Sequence, residues 1–167
     1  MARALIVGCG CRGRELAGRL VGGGWRVRGT TRVPDHLPPI ERSGAEGVLA
    51  DPERAASILD HVGDVSVIFW LMGSALGEPE VIAAIHGPRL ERILEKLADS
   101  PVRGIVYEAG GGVQPHHLER GAAAVREAVR RWRIPAEIVS EDPADSPAWT
   151  AAMLAAADRL TGQSGCS

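Results

Sequence analysis

Apolar residues in this chain fall into short, breaker-free runs separated by longer stretches with helical spacing. Ala2–Val7 is a β-branched apolar run that ends in glycine, the pattern of a strand buried on both faces. Arg14–Val21 carries apolar positions at helical spacing and stops at Gly22-Gly23-Gly24, which predicts a left-handed cap. Trp25–Arg32 reads as a second strand, Pro34–Ser43 as a proline-opened helix, and Ala45–Ala50 as a short third strand. Pro52–Val62 follows as a helix with Asp51 at its N-cap, and Val65–Leu71 is the clearest strand of all. A helical region over Glu80–Ala98 is broken at Gly87-Pro88. Val102–Glu108, Pro115–Trp132, Ala136–Ser140 and Pro147–Leu160 complete the alternation as strand, helix, strand and helix. Strands that alternate with helices predict an α/β fold, a doubly wound parallel sheet covered on both faces.

Length and composition narrow the reading. At 167 residues the chain is expected to form a single three-layer domain over 1–161, with 162–167 as a frayed tail. Such a length buries roughly 70% of the unfolded surface. Nineteen Lys+Arg against twenty-one Asp+Glu leave a net charge of −2 with no basic block, so no nucleic-acid partner is expected. The absence of a long apolar run, and an N-terminus opening directly into Ala4-Leu5-Ile6-Val7, read as no membrane span and no signal peptide. A cytoplasmic protein is expected. Three cysteines without a C-x-x-C spacing imply neither a disulfide framework nor a zinc site, and no metal is expected.

The chemistry concentrates after the first strand. Gly8-Cys9-Gly10-Cys11-Arg12-Gly13 is a full G-x-G-x-x-G placed between an apolar strand and an amphipathic helix, the context that makes the motif a dinucleotide site. Gly8 permits the tight turn, Gly10 lets a pyrophosphate approach the backbone, and Gly13 allows the helix to pack on the strand. The helix N-terminus then offers free N–H groups to the anion. An NAD site wants Asp or Glu at the end of the second strand, roughly 20 residues on. Thr30-Thr31-Arg32 stands there instead, with no carboxylate between Glu15 and Asp35. Two hydroxyls and a guanidinium suit a 2′-phosphate, with Arg12 as a possible second cation, so NADP is expected ahead of NAD.

These segments, Ala4–Ala17 and Val27–Arg32, resemble the start of the atypical and extended short-chain dehydrogenase/reductases, the NAD-dependent epimerase/dehydratase type. The likeness is good over the first 75 residues and beyond them rests on element order. The resemblance implies a Rossmann fold with strand order 3-2-1-4-5-6 and a role for Asp51 beside the adenine. Leu71-Met72-Gly73, at the end of the fourth strand, completes the expected cofactor-binding set. Active members of that family carry a Y-x-x-x-K pair on a helix. Here Tyr107 lies in the fifth strand with Gly111 four residues on, and Lys96, the one lysine, is on another element. The family's tyrosine chemistry is therefore not expected. Only a short stretch follows Ser140, where extended members add a substrate lobe.

Remaining candidates sit at strand ends, where open α/β sheets bind ligands. Glu108 and Ser74 are the catalytic candidates, Glu108 as an acid/base if burial raises its pKa, and otherwise as a satisfied loop carboxylate. Gly110-Gly111-Gly112 is placed beside a nicotinamide or as a moving loop, and His86 is expected to help end a helical turn. Apolar faces on Ile82–Leu97 and Trp149–Leu154 read chiefly as core and alternatively as a homodimer interface. Two functions fit: an NADP-dependent oxidoreductase acting on a small molecule, or a module that holds NADP without turnover.

Overall fold

A computed structural model describes residues 2–162 of the protein. Six parallel strands form one sheet in the order β3-β2-β1-β4-β5-β6. The strands are β1 (Arg3–Val7), β2 (Arg26–Thr31), β3 (Glu46–Leu49), β4 (Val67–Trp70), β5 (Gly104–Glu108) and β6 (Ala136–Val139). The helices are α1 (Cys11–Gly22), α2 (Leu37–Arg42), α3 (Ala55–Leu59), α4 (Pro79–Ile85), α5 (Pro88–Leu97), α6 (Pro115–Trp132) and α7 (Ser146–Thr161). The doubly wound order follows from the alternation of apolar strands and helices in the sequence. It places β1 and β4 side by side at the centre, with Ala4 opposite both Val27 and Val67.

Strand alternation divides the core into two layers. Ala4 and Ile6 of β1 join Leu16, Leu20, Ile40, Trp149 and Met153 beneath α1, α2 and α7. Leu5 and Val7 join Ile58, Ile85, Leu90, Ile93, Leu118 and Val125 beneath α3 to α6. The two faces that offered an alternative as interface, Ile82–Leu97 and Trp149–Leu154, spend their apolar side chains on these layers, Leu154 being partly buried.

Several boundaries differ from the sequence reading. The first helix begins at Cys11, three residues early, because Gly10 is its N-cap and the glycine turn runs straight into helix. Its left-handed residue is Gly24 at φ 92°, one beyond the cap residue Gly23. The helix expected over Pro52–Val62 shrinks to Ala55–Leu59, and Asp51 is not its cap. The Asp51 carboxylate instead accepts from the Glu53 N–H at 2.9 Å, and its carbonyl and N–H are both held by the Ser57 hydroxyl. A local side-chain turn has thus replaced the first helical turn. Pro34–His36 is a 3₁₀ turn leading into α2. Gly87-Pro88 divides α4 from α5, as the sequence suggests. Gly162, assigned to the tail, caps α7 at φ 70°, whereas residues 163–167 lie outside the described residues. No helix among the described residues is long and apolar enough to cross a membrane.

Candidate functional site

The carboxyl ends of β1, β2, β4 and β5 open onto a groove of about 470 Å³. Gly8 leaves β1 at φ 84°, and a Cβ there would stand 2.6 Å from the Leu71 carbonyl oxygen. The turn is tied to β2: Gly8 N–H donates to the Thr30 hydroxyl at 3.2 Å and Cys9 N–H to the Thr30 carbonyl at 3.1 Å. Gly13 faces the Gly8 carbonyl, Cys9 Sγ and Ile6 within 3.3–3.4 Å of where a Cβ would lie, so the helix rests directly on the strand. A Cβ on Gly10 would meet nothing within 4 Å. The space above Gly10 is open groove, as wide backbone access to a pyrophosphate requires.

The expected site residues Gly8–Gly13, Thr30–Arg32, Asp51, Leu71, Met72, Ser74 and Glu108 all line this groove. Gly73 does not; it lies behind the wall, its N–H donating to Glu108 Oε1 at 2.8 Å. The glycines 110–112 also stand off the groove, close against Gly73 and Ser74.

The two threonine hydroxyls are both tied to the backbone as acceptors. Thr30 is buried and its hydroxyl is engaged by Gly8, while the Thr31 hydroxyl accepts from Val33 N–H at 3.1 Å. Arg32 is exposed on the groove's β2 side, and its guanidinium makes no hydrogen bond or ion pair among the described residues. Arg12 turns the other way. Its Nε–H donates to the Pro143 carbonyl beyond β6, so it stands on the side of the turn away from Arg32 and is no partner to it. His36 and Val33, from the segment after β2, line the groove beside Arg32 and were not singled out from the sequence.

At the β5 end Glu108 is 4% exposed. Its Oε2 accepts from Trp149 Nε1 at 2.8 Å, so one side chain joins the loop after β4 to α7. Burial raises the Glu108 pKa above the usual carboxylate range, while the two N–H donors and the charge of Arg12 pull it back. Trp149 is as much a part of this wall as Glu108, yet no sequence pattern marks it, because the two meet only through tertiary packing. Behind the wall, His86 is fully buried between the Tyr107 hydroxyl, 2.6 Å from Nδ1, and the Met72 carbonyl, 2.9 Å from Nε2. Its task goes beyond ending a helical turn: it braces the Met72 backbone at the groove. In the glycine turn, burial pushes the Cys9 thiol up to about 12, whereas Cys11 is exposed at the helix start. Among the described residues no three His, Cys, Asp or Glu side chains group as metal ligands.

No protein-family model matches the chain, and no curated protein matches it. Solved structures do. A short-chain dehydrogenase/reductase superfamily protein from Agrobacterium tumefaciens, solved with bound NAD, is 21% identical with a TM-score of 0.66, over 83% of this chain and 48% of that one. Vestitone reductase from alfalfa (Medicago sativa) is 16% identical with a TM-score of 0.63, over 84% and 56%. UDP-glucose 4-epimerase from Thermotoga maritima, solved with UDP-glucose, is 14% identical with a TM-score of 0.68, over 83% and 54%. The chain spans about half the length of these structures. At such identities the likeness is one of fold. The chain has the Rossmann architecture of short-chain dehydrogenase/reductase and epimerase proteins.

Proposed function

We propose that this chain is an NADP(H)-binding oxidoreductase of the short-chain dehydrogenase/reductase type that operates without the tyrosine–lysine pair. The observation that carries the reading is Arg32, an unpartnered guanidinium on the groove at the end of β2, where an NAD site would present a carboxylate. The residues fit the dinucleotide: the open space above Gly10 admits the pyrophosphate against the N-terminus of α1, and Asp51 and Leu71 line the same groove. NADPH, when bound, supplies the hydride. The chain's own part is to hold the anion on the α1 N–H groups, pair Arg32 with the 2′-phosphate, and present Glu108 at the opposite end.

Calorimetric titration with NADPH and NADH tests this. Tighter binding of NADPH is expected, and Arg32→Ala is expected to weaken NADPH by about 1.5–3 kcal/mol, the range for a hydrogen bond to a charged group, with little change for NADH. Equal affinities in the wild type would refute the assignment. A second reading, nucleotide holding without turnover, is favoured by one feature: Tyr107 is wholly buried and Lys96 belongs to α5. NADPH oxidation against a panel of carbonyl compounds separates the two, since a pure binding module leaves every member unreduced.

A further inference from the structure

The groove's far end, beside β5 and β6, holds a cation and an acid to which the NADP(H) reading assigns no ligand. Arg12 is exposed there, and its Nε–H is anchored on the Pro143 carbonyl. That anchor fixes the plane of the guanidinium and leaves both Nη groups without a protein partner among the described residues. The nearby Asp142 carboxylate is turned to the Ala144 N–H at 2.9 Å. Glu108 is occupied by Gly73 and Trp149 and makes no ion pair with Arg12. A guanidinium anchored through Nε and free of any ion pair among the described residues offers a site for a planar anion, because its two Nη donors match the two oxygens of a carboxylate.

Glu108 supplies the second half. Both of its oxygens face N–H donors, and neither donor can accept a proton. Glu108 also lines the groove, and its acid form carries an O–H that neither of these N–H donors can accept. The acid therefore offers a hydrogen bond to an oxygen of whatever lies in front of it.

We propose that this corner is a subsite for a small carbonyl compound bearing a carboxylate, with the carboxylate on the Arg12 Nη groups and the carbonyl oxygen toward Glu108. The assignment deepens the NADP(H) reading and rests on it. The diphosphate has its own ligands in the α1 N–H groups, and Arg12 is drawn away from them toward β6 by Pro143.

Calorimetry on the NADPH-saturated protein tests the subsite, with oxamate as a carboxylate-bearing carbonyl that cannot be reduced and propionamide as its neutral counterpart. Oxamate is expected to bind at least tenfold more tightly than propionamide. Arg12→Met is expected to lower oxamate affinity at least tenfold beyond any change in NADPH affinity, and the exposed position lets the variant fold. Equal affinities for the two probes, no oxamate binding to the NADPH-loaded wild type, or parallel loss of NADPH and oxamate in Arg12→Met would each overturn the subsite. Failure of the wild type to bind NADPH at all is a distinct result that overturns the reading beneath it.

Discussion

Tyr107 is the one tyrosine in the chain, and its surroundings decide what it is for. The Met72 carbonyl can only accept, so His86 Nε2 carries the ring proton toward it and Nδ1 is left as an acceptor. The Tyr107 hydroxyl must then donate to Nδ1, at 2.6 Å. Burial, with the neighbouring Glu108 charge, raises the Tyr107 pKa, which keeps the phenol protonated. Its role is structural: it holds the ring that holds the Met72 carbonyl. Tyr107→Phe strands Nδ1 in the core and is expected to cost about 1–3 kcal/mol by denaturant unfolding, the penalty for a buried group left unpaired. NADPH affinity and any turnover should persist. A hundredfold fall in turnover with folding intact would show tyrosine chemistry after all.

At the scale of elements, the β1–α1 turn was legible because a ligand site there depends on contiguous residues. Glycine spacing, a preceding apolar run and a following helix are all local signals, and the structure places Gly8, Gly10 and Gly13 in the three expected relations. Gly10→Val is expected to leave the fold intact, since a Cβ there meets no protein atom within 4 Å, and to abolish NADPH binding by filling the pyrophosphate space. Circular dichroism and calorimetry on the same sample check both halves, and retained affinity in a folded variant would move the ligand off this turn. The short α3 was not legible, because an Asp followed by Pro reads equally as a helix cap or as a side-chain turn. The Glu108–Trp149 bond joins residues 41 apart and leaves no local trace. Gly121 is a similar case: in sequence it is a weak point in a helix, yet a Cβ there would lie 1.9 Å from the Tyr107 hydroxyl oxygen. The glycine is what lets α6 lie on β5. Thr30 shows the opposite error, in which a chemically apt residue at the right position is buried and accepts from the Gly8 N–H of the scaffold.

For the molecule as a whole, two buried titratable groups behind one groove make stability depend on pH in opposite senses. His86 lies in the α3–α6 layer against Tyr107 of β5, within reach of the charge of His117 of α6, while Arg120 of α6, paired with Glu91 of α5, packs against the next residue, Gly87. Burial first, and His117 as a lesser cause, lower its pKa against the pull of the Met72 carbonyl. The unfolded chain, with an ordinary imidazole near about 6.5, therefore takes up the proton before the folded one does. The His86 contribution is complete above that value and is lost as pH falls toward the folded pKa. Glu108 runs the other way: its raised pKa makes its contribution complete below the unfolded carboxylate value, about 4.3, and diminishing as pH rises through the folded pKa. The two windows overlap in mildly acidic solution, so the stability of the wild type alone does not separate them. The difference between the wild type and His86→Gln does, because Glu108 is common to both. The glutamine amide keeps a donor for Met72 and removes the titration. Urea unfolding at steps from pH 7.5 to 5 is expected to show the wild-type advantage shrinking below about pH 6.5, by at most about 1.4 kcal/mol per pH unit for a single proton. An advantage that stays constant across that range would mean that His86 titrates alike in the folded and unfolded chains, and that burial is not what keeps it neutral.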